Sequence, residues 1–275
     1  MSDLDRVAAH YHGEGIAERL LGALAAEGVD MDNLTPVEMA PIDQFHGRGL
    51  VATQDMCARL KPEADDAILD IGCGLGGPAR YVAHAHGSRV TGIDLTPAYC
   101  EAAEALSKAA RLDGQVTIKC ASATDLPFDD ASFDAAFSQN VAMNIADKAA
   151  YFGEALRVLK PGGRAAMSIL AQGPAGEVRY PVPWAETPET SFLAEPDDLR
   201  AQIEAAGFEI LDFIDETETA IAAYRQMREI VKRDGPPKLG AHLFMGERMK
   251  QMMRNIARST EDGRIVPLEV LCRKP

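Results

Sequence analysis

The fold of this chain is decided by residues 67–77, AILDIGCGLGG, within its 275 residues. An aliphatic run leads into a segment in which Gly72, Gly74, Gly76 and Gly77 follow in close succession. A short apolar run bounded by such residues is typical of a buried strand. Glycine lets the backbone turn sharply and approach a ligand closely. The stretch therefore predicts a strand and then a ligand-binding turn at the N-terminus of a helix.

Beyond this turn, strand-like runs alternate with helical segments, which predicts an α/β fold with a doubly wound, mostly parallel sheet. The predicted strands are Ala67–Ile71, Arg89–Leu95, Val116–Ala121, Phe133–Gln139, Arg164–Leu170, Phe208–Phe213 and Ile265–Cys272. The predicted helices are Tyr11–Glu27, Gly49–Leu60, Gly76–His86, Pro97–Leu112, Asp147–Leu159, Glu195–Gly207, Glu218–Arg233 and His242–Ser259. Asp30–Gly47 is rich in turn residues and is predicted to be a loop.

Two segments interrupt this alternation. Residues 171–194 carry four prolines and cannot form a regular helix or a central strand. Residues 216–262 form a helical excursion before the last strand. We therefore expect a helical cap at 1–60, a cofactor-binding core at 61–170, and a region at 171–275 that combines the remaining strands with an inserted helical lid.

The acidic residues near the turn indicate which nucleotide cofactor it binds. Asp94 ends the second predicted strand, where a carboxylate accepts hydrogen bonds from ribose hydroxyls. The glycines also satisfy G-x-G-x-x-G, so a dinucleotide dehydrogenase is an alternative. Asp70, however, would repel a pyrophosphate. It suits S-adenosylmethionine, which carries a cationic sulfonium and an α-ammonium group.

The composition of the chain limits the classes of partner that we expect it to bind. The formal net charge is −14, which argues against nucleic acid because a nucleic-acid binder needs a basic surface. Five cysteines without C-x-x-C spacing predict a reduced, cytoplasmic protein. Neither a membrane span nor a metal-ligand pattern is evident. We expect a small molecule as the partner.

Four motifs together resemble the class I S-adenosylmethionine-dependent methyltransferases, which have a Rossmann-like fold. They are residues 70–76 (DIGCGLG), 92–95 (GIDL), 123–128 (ATDLPF) and 156–163 (LRVLKPGG). The resemblance covers about residues 40–275. It implies seven strands in the order 3-2-1-4-5-7-6, with the last strand antiparallel.

The resemblance also implies the cofactor contacts. For S-adenosylmethionine these are Asp70, Gly72, Gly74, Gly76, Asp94, Leu95, Ser122, Ala123, Thr124 and Gln139. Family members often carry an acid where this chain has Ser122. A serine hydroxyl can still accept one hydrogen bond from an adenine amino group.

The acceptor side resembles a small-molecule branch that includes sarcosine/dimethylglycine N-methyltransferase-like proteins. This similarity rests on residues 43–47 (DQFHG), 138–140 (SQN) and 180–185 (YPVPWA). His46 and Tyr11 are the candidates for positioning or deprotonating the acceptor. The candidate acceptor contacts are Phe45, Asn140, Asn144, Arg179 and Trp184. His46 could also be a loop histidine that caps a turn, and Trp184 could instead anchor its loop to the core.

Methyl transfer to an amine nitrogen is the leading hypothesis. Methylation of carbon or oxygen on a ring or polyketide-like acceptor is the alternative, and an apolar lid would favour it. A dehydrogenase and a cofactor-binding module without activity are further alternatives.

Overall fold

The computed structural model describes residues 15–246 and 248–275. Its centre is a seven-stranded sheet in the order β3-β2-β1-β4-β5-β7-β6, which confirms the predicted fold and strand order. The strands are β1 (Ala67–Ile71), β2 (Arg89–Asp94), β3 (Val116–Cys120), β4 (Phe133–Gln139), β5 (Leu159–Gln172), β6 (Glu209–Asp215) and β7 (Ile265–Arg273). β7 runs antiparallel to both of its neighbours, as the resemblance implies.

Ten α-helices lie in the described ranges. They are α1 (Ile16–Ala26), α2 (Pro36–Asp43), α3 (Leu50–Leu60), α4 (Gly77–His86), α5 (Pro97–Ala109), α6 (Lys148–Val158), α7 (Pro196–Ala205), α8 (Thr217–Asp234), α9 (His242–Met245) and α10 (Met249–Glu261).

The central strands β1 and β4 are buried on both faces, as parallel strands connected by helices require. On β1, the consecutive residues Ile68 and Leu69 are both fully buried but pack into different hydrophobic clusters. Successive side chains of a strand point to opposite faces, so the two clusters lie on opposite sides of the sheet. The parallel pairing of β1 with β2 and β4 brings the carboxyl ends of these three strands to one edge.

Two predictions of secondary structure are wrong. The predicted loop 30–47 contains α2, which begins with a capping box between Thr35 and Glu38. The predicted helix His242–Ser259 is broken at Gly246, whose φ of 76° is unsuited to a continuing helix. A short helix, α9, therefore precedes α10.

Within 15–246 and 248–275, no helix has the length and apolarity to cross a bilayer.

Candidate active site

A cavity of about 2140 Å³ opens at the carboxyl ends of β1, β2 and β4. This is the edge where open α/β sheets bind ligands. Most of the candidate site residues line it: Phe45, His46, Asp70, Gly72, Gly74, Asp94, Leu95, Ser122, Ala123, Thr124, Gln139, Asn140, Asn144 and Trp184. Gly76 and Arg179 do not line it, and Tyr11 lies outside the described residues.

The glycine turn is held against the end of β2. The backbone N–H groups of Gly72 and Cys73 both donate to the carbonyl oxygen of Ile93, at 2.8 Å. Gly74 has a φ of 52°, and a Cβ atom added there would meet nothing within 4 Å. Gly74 therefore borders open space in the cavity. Gly76 instead acts as the left-handed N-cap of α4, with φ at 74°.

Asp94 is fixed by backbone donors on both sides. Its Oδ2 accepts a hydrogen bond from the Gly74 nitrogen and its Oδ1 accepts one from the Thr96 nitrogen, each at 2.9 Å. Burial raises the pKa of Asp94, although these donors oppose the shift. Each carboxylate oxygen has further acceptor capacity, so the side chain can also accept from two vicinal hydroxyls in the cavity.

Asp70 lacks a partner for part of its carboxylate. It is 2% exposed, and its Oδ2 has no hydrogen-bond partner among the residues described. Burial, with the negative charge of Asp94, raises the pKa of Asp70 well above its ordinary value. A buried acceptor without a partner is costly. A cationic ligand would supply that partner and favour the ionised carboxylate.

The turn at residues 122–125 forms another wall. The hydroxyls of Ser122 and Thr124 lie 2.8 Å apart, and the Thr124 nitrogen donates to Ser122 Oγ. The serine is thus held by its own turn. It keeps limited capacity to accept from an adenine amino group, so backbone groups at Ala123 and Thr124 would share that role.

A buried ion pair supports the glycine turn from behind. Arg80 Nη2 lies 2.8 Å from Asp43 Oδ2, and both side chains are fully buried. The same guanidinium donates to the carbonyl oxygen of Leu75 in the turn, at 2.6 Å. Burial raises the pKa of Asp43 to about 6, against the effect of Arg80. At Gly77, a Cβ atom would come within 2.4 Å of the Asp43 carbonyl oxygen, so this close approach requires glycine.

His46 belongs to a polar cluster at the edge of the cavity. Its Nε2 lies 3.1 Å from Gln44 Oε1 and 3.2 Å from Thr53 Oγ1, and its Nδ1 lies 3.3 Å from the Gly47 carbonyl oxygen. Burial lowers its pKa to about 4. The imidazole is therefore neutral near pH 7, and one ring nitrogen keeps its lone pair. Thr53 also donates towards Gln139 Oε1, at 3.3 Å, which links the cluster to the end of β4.

Trp184 is a wall residue that is also anchored. The side chain is 1% exposed, lines the cavity and packs in a cluster with Met143 and Ile256. Its Nε1 donates to Ser191 Oγ at 2.9 Å. The structure therefore shows the anchoring contacts, and contact of Trp184 with the acceptor stays a prediction.

Arg179, by contrast, is directed elsewhere. Its guanidinium forms an ion pair with Asp262 at 2.7 Å, and about half of its side chain is exposed. Because it does not reach the cavity, we do not retain it as an acceptor contact.

An aromatic contact joins the helical excursion to the cofactor side of the cavity. Phe244, on α9, lies edge-on to Phe45 and to Tyr99, with ring centroids 5.2 Å and 6.0 Å apart. Phe45 and Tyr99 both line the cavity. Edge-to-face pairs at these distances are favourable, so α9 is held to the rim of the site.

Sequence reasoning missed Gln44, Thr53, Asp43 and Arg80 as residues that shape the site. Gln44 and Asp43 stand in the quoted segment 43–47, but nothing local indicates that Thr53 and Arg80 reach it across the fold.

These residues fit S-adenosylmethionine. Asp94 would hold the ribose hydroxyls, Gly74 would allow the backbone to approach, and Asp70 would face positive charge. A pyrophosphate beside Asp70 and Asp94 would meet two buried acids. The cofactor supplies an electrophilic methyl group on a positively charged sulfur.

Known proteins support the same cofactor. A family model described as "Methyltransferase domain" matches residues 69–167. The chain is 30% identical over 216 residues to the sarcosine/dimethylglycine N-methyltransferase of Halorhodospira halochloris, which covers 76% of this chain and 75% of that protein.

The chain is also 34% identical over 168 residues to the O-methyltransferase resE of Aspergillus sclerotiorum, covering 59% of this chain. It spans only 62% of the length of resE.

The fold has a close structural counterpart. A geranyl diphosphate C-methyltransferase from Streptomyces coelicolor A3(2), solved with S-adenosyl-L-homocysteine, superposes with a TM-score of 0.72 at 18% identity, covering 100% of this chain and 99% of that one. The shared sheet, the matched domain and the identity to the Halorhodospira halochloris enzyme lead to one conclusion: the chain belongs to the class I S-adenosylmethionine-dependent methyltransferases.

Proposed function

We propose that this enzyme methylates a hydroxyl oxygen on a large, mainly apolar small molecule. The observation that carries this proposal is the apolar lining of the cavity beyond the cofactor residues. That lining comprises Met143, Leu170, Ala220, Ala223, Met227, Ile230, Val231, Met249, Met253, Ile256 and Ala257. Lining of this kind favours an acceptor with a large apolar body.

The size of the cavity supports a large acceptor. Pockets for a drug-sized ligand enclose about 300–1,000 Å³, and this cavity has about 2140 Å³. It therefore has room for the cofactor and for a second ligand of considerable size.

The polar groups near the glycine turn favour a hydroxyl over an ammonium group. Gln139, Asn140 and Asn144 are neutral and line the cavity. The acids that line the described cavity are Asp43, Asp70, Asp94 and Glu261. Asp43 is paired with Arg80, and Glu261 is paired with Arg228. With Asp70 and Asp94 assigned to the cofactor, no carboxylate remains in that lining for an ammonium acceptor.

An amine nitrogen is the second candidate. It is favoured by the 30% identity to an enzyme named for sarcosine and dimethylglycine. The sequence suggested Arg179 as a contact for such an acceptor, but Arg179 lies away from the cavity.

We infer that His46 accepts the hydroxyl proton. Transfer to oxygen forms an O–C bond, breaks the C–S bond and releases this proton, which needs a base. The neutral ring has a lone pair, and the two oxygens beside it, from Gln44 and Gly47, would accept hydrogen bonds from both nitrogens once the ring is protonated.

We further propose that the chain consists of a helical cap at 1–60, a cofactor-binding core at 61–170 and a remaining region at 171–275. Within this last region, the excursion 216–262 forms the lid over the acceptor. In α8, only Ala220 and Ile221 are buried, and this helix and α10 supply most of the apolar lining. The segment 171–194 contributes Pro183 and Trp184. A helix packed so lightly can move to admit a ligand.

The experiment is a methyl-transfer assay by release of S-adenosylhomocysteine, with NMR of the product. The panel contains apolar phenols, quinols and alcohols, set against sarcosine and dimethylglycine. We expect O-methylated products from the apolar hydroxyl compounds. His46→Gln should lower kcat by about 10²–10⁴-fold with cofactor affinity unchanged, and His84→Gln, an exposed histidine on α4, should have no effect. Turnover confined to the amines would contradict the proposal.

A further inference from the structure

The helix α10 presents a row of positive charges at the edge of the cavity. Lys250, Arg254 and Arg258 follow one another at intervals of four residues, so they lie on one face of the helix. All three are exposed, and all three line both the main cavity and an adjoining groove of about 490 Å³. In the described chain, Lys250 and Arg254 form no ion pair.

The facing helix adds to this charge. Arg228 and Lys232, one turn apart on α8, also line the cavity. Arg228 forms an ion pair with Glu261, which is the only acid lining this end of the described cavity. Positive charge is thus concentrated at one end of the cavity in a chain whose formal net charge is −14.

The arrangement has a cost within the protein. Like charges four residues apart on a helix repel each other and destabilise it. The row on α10 contains two such pairs, from Lys250 to Arg254 and from Arg254 to Arg258. Asp262 interacts electrostatically with Arg258, but Lys250 and Arg254 have no ion-pair partner among the described residues, so a bound anion is the partner that would offset their charge.

The same helix also lines the cavity with apolar side chains. Met249, Met253, Ile256 and Ala257 belong to the same helix and line the cavity. A ligand that contacts both the row and this apolar lining would therefore need an anionic group and an apolar body.

We propose that the acceptor carries an oxyanion, a carboxylate or a phosphate, at the end remote from the methylated hydroxyl, and that Lys250, Arg254 and Arg258 bind it. Arginine and lysine bind such groups through charge-assisted hydrogen bonds. This inference rests on the proposed function, because it assumes an apolar acceptor in the same cavity.

The test uses ten-carbon probes that differ only in the head group. Decanoate, decyl phosphate and decanol are titrated by calorimetry into the enzyme saturated with S-adenosylhomocysteine. The wild type is compared with the triple variant K250Q/R254Q/R258Q. The control is R225Q/R233Q/K238Q, which removes three exposed cations that do not line the cavity and changes the net charge equally.

We expect both anions to bind wild type at least about tenfold more tightly than decanol. The preference should persist in the control, weaken with added salt, and disappear in the α10 variant while decanol still binds. Equal binding of all three probes to wild type would overturn the oxyanion site but leave the apolar acceptor intact. Failure of every probe to bind would count against the proposed function itself.

A membrane surface is tested in parallel. If the row of cations served anionic lipid, wild type would cosediment with phosphatidylglycerol vesicles and not with phosphatidylcholine vesicles, the α10 variant would lose this binding, and decanoate would show no preference over decanol. That pattern would overturn the proposal.

Discussion

The Oδ2 atom of Asp94 lies 2.9 Å from the backbone nitrogen of Gly74, so the end of the second strand is tied to the glycine turn after the first. The same carboxylate accepts from Thr96 through its other oxygen. Asp94 therefore shapes the turn and offers its remaining acceptor capacity to the cavity.

Replacing Asp94 should weaken cofactor binding, and the size of the effect should depend on the replacement. Asp94→Asn keeps one acceptor oxygen, whereas Asp94→Ala leaves both the ribose hydroxyls and the Gly74 nitrogen without a partner. We expect Asp94→Ala to cost about 1–3 kcal/mol of binding free energy for S-adenosylhomocysteine, and Asp94→Asn to cost less. Calorimetry measures both, with the exposed Asp113→Ala as the control. Unchanged affinity in a folded Asp94→Ala protein would remove this residue from the site.

Gly74→Val should abolish cofactor binding while the sheet still forms. The new side chain would occupy the open space that the turn presents to the cavity. Gly162→Val is a matched control, because Gly162 also has a positive φ, of 80°, and open space around its Cβ position, but does not line the cavity. Both variants carry the same kind of backbone strain. Circular dichroism should show native secondary structure in both, and only Gly162→Val should bind S-adenosylhomocysteine. Loss of binding in both would assign the effect to strain.

Asp70→Asn should stabilise the cofactor-free enzyme and weaken the binding of the cofactor. Because burial raises the pKa of Asp70, its contribution to stability is fully present below the unfolded pKa and is lost as pH rises through the folded pKa. The gain in Tm from Asp70→Asn should therefore be larger at pH 8 than at pH 4. The affinity for S-adenosylmethionine should fall by about 1.5–3 kcal/mol, since the cation loses a carboxylate partner. Thermal denaturation with and without cofactor measures both effects. A lower Tm at pH 8 would refute this account of Asp70.

Breaking the buried Asp43–Arg80 ion pair should lower the free energy of unfolding far more than breaking a surface ion pair. Arg80→Met leaves Asp43 buried without its cation, which costs about 3–5 kcal/mol. Arg273→Met removes the partner of Glu209 in a half-exposed pair, which costs about 0–1 kcal/mol. Urea denaturation gives both values. The double variant Asp43→Leu/Arg80→Met should recover part of the loss, and similar costs for the two single variants would contradict the buried-pair argument.

The sequence was sufficient for the sheet, and it named most of the residues that line the cavity beside the glycine turn, because strand, turn and terminal acid are local features; their contacts with the cofactor stay predictions. The helix Pro36–Asp43 could also have been predicted, because Thr35, Pro36 and Glu38 form a capping-box pattern. The turn-forming composition of 30–47 led instead to the prediction of a loop. Gly246 likewise marks where α9 ends. The partner of Arg179 could not be found in this way, since Asp262 is brought to it only by the fold. The same holds for Arg80, whose burial against Asp43 depends on how α2 packs against α4.

The most direct test of the central claim is a calorimetric titration of the wild-type enzyme with S-adenosylhomocysteine and, separately, with NAD. The account predicts one molecule of S-adenosylhomocysteine bound per chain and no measurable binding of NAD, because Asp70 and Asp94 repel a pyrophosphate. Binding of NAD as tight as that of S-adenosylhomocysteine would contradict it.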